Sequence, residues 1–369
     1  MSMAQLLETF GLPVILAAGG ALIGGLFGFF AQRSRFCLRA AVIEFWHRRF
    51  GEKLSVWLLA FATAVIAVQF MALLGWLDTG NARQISATGS LSGALIGGLT
   101  FGIGMVMTRG CASRLLVLSA NGNLRALLSG LIFAVTAQSA LSGALSPVRL
   151  AISSWWTVPG GASRDLLAIT GLGHGAGLAM GGVWLMAALY FSLRSPHRGL
   201  WMWVGGIGTG LMVAAAWGFS QWLARESFDP VQIQGLTFSG PSAEWLMRVL
   251  QWPSAPIGFE FGLMPGVFLG SLIGALIGKE WKLEGFSDGY SMRHYIGGAI
   301  LMGFGSMLAG GCAVGAGVTG GAIFALTAWL SLAGMWLGAG LTDRWLDGGS
   351  LQAQGKTTAN APASLVKAP

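Results

Sequence analysis

Eight stretches of this chain carry no Asp, Glu, Lys or Arg: 9–32, 54–77, 84–108, 126–148, 166–193, 199–224, 261–278 and 294–342. A bilayer core about 30 Å thick takes roughly 20 apolar residues per helix. Most of these runs match one crossing, and the last is long enough for two with a non-spanning piece between them. The expectation is an all-α polytopic membrane protein with about nine transmembrane helices. Composition agrees: the chain is 54% hydrophobic and 10% charged, against about 25% charged in soluble domains. The first run reads as a span rather than a cleaved signal, because it lacks a basic leader, follows Glu8 and exceeds the usual signal length.

The net charge of +8 does not point to nucleic acid, because the basic residues do not sit on a polar scaffold. It reads instead as membrane orientation. With the N-terminus outside, the inner loops hold the six basic residues of 33–53 together with Arg109, Arg114, Arg125, Arg194, Arg198, Lys279, Lys282, Arg293, Arg344, Lys356 and Lys367. Only Arg83, Arg149, Arg164, Arg225 and Arg248 remain outside. Cytoplasmic loops collect Lys and Arg, so the expected topology is N-terminus out and C-terminus in. Trp155, Trp156, Trp245, Trp252 and Trp281 lie near span ends, where an interfacial belt would place them. Residues 1–347 read as one transmembrane domain, and the small, polar, aperiodic segment 348–369 as a disordered cytoplasmic tail.

The chain also contains a repeat. Gly97, Gly102, Gly104, Gly110, Cys111 and Ala112 recur as Gly298, Gly303, Gly305, Gly311, Cys312 and Ala313, all at an offset of 201. A weaker match sets Gly20, Gly24 and Gly28 against Gly266, Gly270 and Gly274 at an offset of 246. The repeat halves are placed at roughly 12–148 and 257–342. In the N-out topology the two cysteine segments run in opposite directions, giving a pseudo-twofold, inverted-repeat arrangement familiar from transporters. Glycine is 59 of 369 residues, and much of it serves close helix packing. The cluster at Gly310, Gly311, Gly315, Gly317, Gly320 and Gly321 disfavours a continuous helix. Short broken or re-entrant helices are expected at both cysteine segments, with bare N–H groups available to an anion.

Cys37, Cys111 and Cys312 are the only cysteines. An isolated membrane cysteine is usually a small buried hydrophobe. Here two of three hold equivalent repeat positions after glycine, and the third sits in a basic stretch at the inner end of the first span. Three separated cysteines with His47, His174, His197 and His294 form no zinc ligand cluster, and a disulfide would leave one thiol over. Thiols offer weak S–H donors and polarizable sulfur, which suits a cargo that itself contains sulfur or selenium. Arg109 and Arg114 bracket Cys111 and match oxyanion geometry, although a headgroup anchor explains them as well; the same holds for Arg33 and Arg35. Gln69 and Gln138 read as interhelical hydrogen-bonding groups, His174 as a partner for a carbonyl, and Glu260 as facing headgroups rather than carrying protons. No Walker or HExxH sequence is present, so neither an enzyme nor a cofactor or metal is expected.

The segments GLFGFFAQRSRFCLRAA, GIGMVMTRGCASR and GFGSMLAGGCAVGAG resemble the three cysteine signatures of the YeeE/YedE-type sulfur-transport family. The resemblance spans roughly residues 12–342. It implies an inner-membrane fold with short helices meeting near the centre, and uptake of thiosulfate relayed by hydrogen bonds along Cys37, Cys111 and Cys312. Gly110, Gly311 and Arg109 are the accompanying candidates on that path. Some members of the family are linked to selenium, so a selenium compound is an alternative cargo. A membrane sulfurtransferase holding persulfide on Cys37 is the alternative from another class. A dianion entering against an inside-negative potential needs a drive, from protons or from consumption by a cytoplasmic sulfurtransferase-type acceptor, the candidate protein partner.

Overall fold

The computed structural model describes residues 9–195, 199–227, 229–250, 258–285 and 289–359. Arg198, Trp252, Lys367 and residues 360–369 of the expected tail lie outside these ranges. Helices dominate: α1 (Leu12–Arg33), α2 (Leu38–Trp46), α3 (Glu52–Leu73), α4 (Leu91–Met107), α5 (Ala112–Ala120), α6 (Leu124–Ser142) and α7 (Ser146–Ser153). After them come α8 (His174–Arg194), α9 (Leu200–Glu226), α10 (Ser239–Leu250), α11 (Phe259–Ile277), α12 (Gly289–Leu308), a π-helix (Ala313–Gly320) and α13 (Leu326–Ala359). A two-residue ribbon, Gly89–Ser90 paired with Thr157–Val158, ties two loops together.

Among the described residues, eight helical stretches are long and apolar enough to cross a membrane. The ninth expected crossing falls on the first part of α13, whose apolar run stops at Asp343. Helix α13 itself continues to Ala359, into the segment whose composition reads as a tail. Local chemistry fixes several starts. Pro13 opens α1, where its missing N–H costs nothing. The Ser90 hydroxyl accepts from Gly93 N–H at 2.8 Å, and the Asn123 side chain accepts from Ala126 N–H at 2.9 Å, each satisfying an orphan donor.

Three of the eight stretches are each a long helix, a chain break and a short helix: Leu12–Trp46, Leu91–Ala120 and Met292–Gly320. The breaks share one geometry. Arg35, Arg109 and Gly310 stand at φ 55°, 57° and 76°. The next N–H in each case reaches back around the turn: Phe36 to Ala31 O at 3.0 Å, Gly110 to Met105 O at 3.1 Å, Gly311 to Ser306 O at 2.9 Å. This is the Schellman bond that closes helix C-termini. The residue after it is a cysteine in extended conformation, at the N-cap position of the following short helix.

Glycine decides which long helices pair. A Cβ at Gly20, Gly24 or Gly28 would strike backbone at Phe259, Leu263 or Val267, and one at Gly262, Gly266 or Gly270 would strike Ala17, Ala21 or Gly25. Both series ascend together, so α1 and α11 run parallel with their backbones in contact. The glycine sets matched at an offset of 246 are therefore largely the two faces of one interface. Against α4 the order reverses: Gly97 meets Gly305 and Ala309, and Gly104 meets Gly298 and Met302. Helices α4 and α12 are thus antiparallel, and their cysteine-bearing C-termini emerge at opposite ends, the inverted arrangement expected. Lipid supplies no hydrophobic drive between helices, so this close van der Waals approach holds them.

Candidate functional site

The breaks after α1 and α4 bring Cys37 and Cys111 together, with their thiols in hydrogen-bonding contact. Both are buried, at 8% and 1% exposure. The Ser113 hydroxyl lies 3.4 Å from the Cys111 sulfur, and the half-buried Arg114 guanidinium interacts electrostatically with both cysteines. Beyond it a polar chain leads outward. Arg114 donates to Gln32 Oε1 at 3.4 Å, Gln32 donates to Glu280 Oε2 at 2.7 Å, and Arg35 pairs with Glu280 Oε1 at 3.0 Å. Arg35 is more than half exposed, so this chain ends at the surface. Arg125 on Tyr295 and His47 on Asp343 belong to the same end of the bundle, the one that the charge count assigns to the inside.

Cys312 lies at the other end, 1% exposed. Its sulfur accepts from Gly315 N–H at 3.5 Å, the first turn of the π-helix. A π-helix is rare and recurs at functional sites; this one is held from three sides. The Thr319 hydroxyl donates to Leu236 O at 2.6 Å, Gln84 Nε2 donates to Gly315 O at 3.0 Å, and a Cβ at Gly315 would strike Thr237. Ala309, Gly310 and Ala316, which flank Cys312, border a cavity of about 420 Å³. Arg83, Arg149 and Arg164 line the same cavity. Burial lowers the pKa of the Arg164 guanidinium from the ordinary arginine value.

Three aromatic rings stand between the two cysteine regions. Phe36, beside Cys37, meets Phe27 edge-on at 6.4 Å, and Phe27 meets Phe238 at 5.2 Å. Phe238 adjoins Thr237, which lines the cavity beside Cys312. All three rings are at most 3% exposed.

The structure thus joins Cys37 and Cys111 and sets Cys312 apart. Gly110 supplies a Schellman N–H, but its Cβ position is open to ordinary contact at 3.4 Å; at Gly311 a Cβ would lie 2.7 Å from Ala316 N. Arg109 is left-handed and exposed, whereas Arg114, four residues past Gly110, turns inward to the thiols. Gln69 bridges helices, donating to Ala322 O at 2.7 Å with its oxygen 3.1 Å from His174 Nδ1. Gln138 instead bonds Ser142 on its own helix at 2.9 Å. Glu260 lines the cavity beside Cys312 and accepts from Gln234 at 2.6 Å. Sequence reasoning missed Gln32, Glu280, the aromatic cluster and the arginines of that cavity. The last had a signal, since each breaks the positive-inside pattern.

Comparison with known proteins adds one family and two relatives. A family model described as sulphur transport matches residues 33–341. Thiosulfate transporter TsuA of Escherichia coli K12 is 25% identical over 344 residues, 89% of this chain and 93% of the relative. Thiosulfate transporter TsuA of Spirochaeta thermophila is 26% identical over 328 residues, 85% of this chain and 93% of the relative.

Proposed function

Because the chain belongs to the sulphur-transport family, we propose that it carries thiosulfate inward across the bacterial cytoplasmic membrane, relayed by Cys312 and then by Cys111 and Cys37. One observation supports this most: all three cysteines stand at the N-cap position of a short helix after the same left-handed break. Each site offers two kinds of donor at once. The S–H suits the terminal sulfur of thiosulfate, and the unpaired N–H groups of a helix start suit its oxygens. Arg114 adds a charge that matches an oxyanion. Contacts of this kind hold the ion without a covalent bond, so it leaves as readily as it arrives.

The dianion works against about 2.3 kcal/mol per charge per 100 mV. Either a coupled proton or consumption by a cytoplasmic sulfurtransferase-type acceptor would offset that cost. The persulfide reading fits less well, because Cys37 is only 8% exposed and faces Cys111 rather than the surface. The chain then acts as a transporter and not as an enzyme.

Uptake of labelled thiosulfate in cells lacking other importers tests the reading. Cys111→Ala and Cys312→Ala should abolish uptake while the protein reaches the membrane, and Cys312→Ser, which keeps a donor, should retain part of it. Unimpaired thiosulfate-dependent growth of both alanine variants would sink the proposal. A selenium cargo would show instead as uptake of selenium compounds that thiosulfate does not compete away.

A further inference from the structure

Gln32, in the last turn of α1, is 2% exposed and stands between a cation and a carboxylate. Its amide oxygen accepts from Arg114 at 3.4 Å, and its NH2 donates to Glu280 Oε2 at 2.7 Å. An amide makes both bonds at once, which neither an apolar side chain nor a carboxylate could do. Arg114 has no carboxylate partner among the described residues, although Glu280 acts on it electrostatically from beyond the amide. The guanidinium is thus held beside Cys37 and Cys111 by a long hydrogen bond to a neutral acceptor, and direct contact does not cancel its charge. A bond of this length is weak and is readily exchanged for a charge-assisted one to an oxyanion.

Backbone geometry places Glu280 as well. Helix α11 ends as the cysteine-bearing helices do: Lys279 stands at φ 53°, and Glu280 N–H reaches back to Ala275 O at 2.8 Å, the Schellman bond again. The carboxylate leaving this turn has two partners, Gln32 on one oxygen and Arg35 on the other at 3.0 Å. Its side chain is 31% exposed, so it stands between the thiol pair and the surface. From buried to exposed the order is cation, amide, carboxylate, cation. A dianion drawn to Arg114 therefore meets a negative charge just beyond the amide. Like charges repel over the same few ångströms across which unlike charges attract, so Glu280 opposes the grip of Arg114 on an anion at the thiols.

We propose that Gln32 and Glu280 are positioning residues that set how firmly the thiol pair holds its cargo: Gln32 keeps Arg114 beside Cys37 and Cys111 without neutralising it, and Glu280 loosens the bound dianion enough for it to leave. The proposal rests on the thiosulfate reading and deepens it. Two S–H donors and an unopposed guanidinium would favour retention, whereas each site on a transport path must bind its ion and also let it go.

One pair of variants separates charge from shape. Glu280→Gln removes the carboxylate. Gln32→Glu/Glu280→Gln exchanges the two groups, so an amide and a carboxylate still face each other, but the negative charge lies directly against Arg114. With the full chain in proteoliposomes, Glu280→Gln should lower the KM for thiosulfate several-fold and lower Vmax with it, because the cargo leaves slowly. The exchange variant should raise KM about tenfold or more, since an ion pair occupies the guanidinium and a charged hydrogen bond to the cargo is lost. Arg225→Gln, bonded to Gly75 O beyond the far end of α3, should leave both constants as they were. A KM that moves the same way in the two variants, or in neither, overturns the proposal while leaving transport itself standing; a Vmax that does not fall in Glu280→Gln overturns the role in release. Glu280→Gln alters one partly exposed side chain and carries the test alone if the exchange variant does not fold. A second measurement reads the same field without transport: labelling of Cys37 and Cys111 by a negatively charged methanethiosulfonate relative to a neutral one, followed by peptide mass. The ratio cancels changes in thiol ionisation, and it should rise in Glu280→Gln and fall in the exchange variant. Should the wild type carry no thiosulfate, the functional reading fails and this ratio judges the site: opposite shifts support it, and an unchanged ratio, or thiols that the anionic reagent does not reach, refutes it.

Discussion

At the scale of single residues, Gly89 and Arg164 form a pair whose meaning depends on what each lacks. Gly89 has no side chain, and Arg164 has no carboxylate partner among the described residues. Adding one methyl group should therefore be costly: Gly89→Ala would push the guanidinium off its bonds to Ala87 O and the Thr327 hydroxyl and destabilise the protein by about 1–3 kcal/mol, read as an earlier loss of monodisperse protein on heating. Unchanged heat stability would show that the guanidinium tolerates the displacement. The left-handed residues carry a related lesson. Gly310 at φ 76° is what a helix terminus favours, but Arg35 and Arg109 adopt nearly the same angle without glycine. A non-glycine residue in this region bears some strain. A basic side chain at a helix C-terminus is offset in part by the helix dipole. Glycine set against Cys111 and Cys312 made those two breaks legible in the sequence; the equivalent break before Cys37 showed only as a polar interruption.

Elements are selected here by backbone approach. Helices α1 and α11 meet through glycines on both faces, so a side chain at the centre of the interface has nowhere to go. Gly270→Ala places a Cβ against Gly25 O and should destabilise the protein by about 1–3 kcal/mol, the usual cost of overpacking, read as an earlier loss of monodisperse protein on heating. Gly130→Ala in α6, where nothing lies within 4 Å, should instead be neutral or stabilising by up to about 1 kcal/mol. Equal losses at both sites would mean that the glycines serve helix flexibility rather than packing. This interface also explains the second repeat. Two helices packed in parallel through glycine at every fourth residue carry the same spacing as two copies of one helix. Spacing alone does not separate partner from duplicate; the contacts of Gly20 with Phe259 and of Gly270 with Gly25 do.

Across the whole molecule, two polar regions lie at opposite ends of an apolar waist. One holds Arg83, Arg149 and Arg164 beside Cys312, and the other holds Cys37, Cys111, Arg114, Gln32 and Glu280. Phe36, Phe27 and Phe238 occupy the space between. Buried, closely packed rings exclude water and hydrated ions, so on the proposed relay these rings must shift for an anion to pass. Truncating the middle ring removes that barrier. Phe27→Ala should let small anions such as chloride leak through proteoliposomes at a rate well above wild type, while uptake of thiosulfate becomes less dependent on Cys312. Tight vesicles with ordinary cysteine dependence would place the barrier elsewhere. Loss of the ring also costs about 3–5 kcal/mol of packing, so the leak is read on protein that elutes as a single species.

Much of this protein was determined by the sequence alone. Runs of apolar residues dictated helices and a membrane, because a backbone in hydrocarbon must satisfy its own hydrogen bonds. Glycine set against cysteine marked Cys111 and Cys312 as inverted, broken segments, because helix breaking is a local property of a few neighbouring residues. Only the tertiary structure decided that Cys37 meets Cys111 rather than Cys312, that Arg114 rather than Arg109 faces the thiols, and that Arg164 lines a cavity with no carboxylate partner among the described residues. Each of these depends on the direction in which a side chain leaves a break, and on which distant helix packs there. Such facts are set by close approach of backbones across the bundle, and no local pattern of residues encodes them.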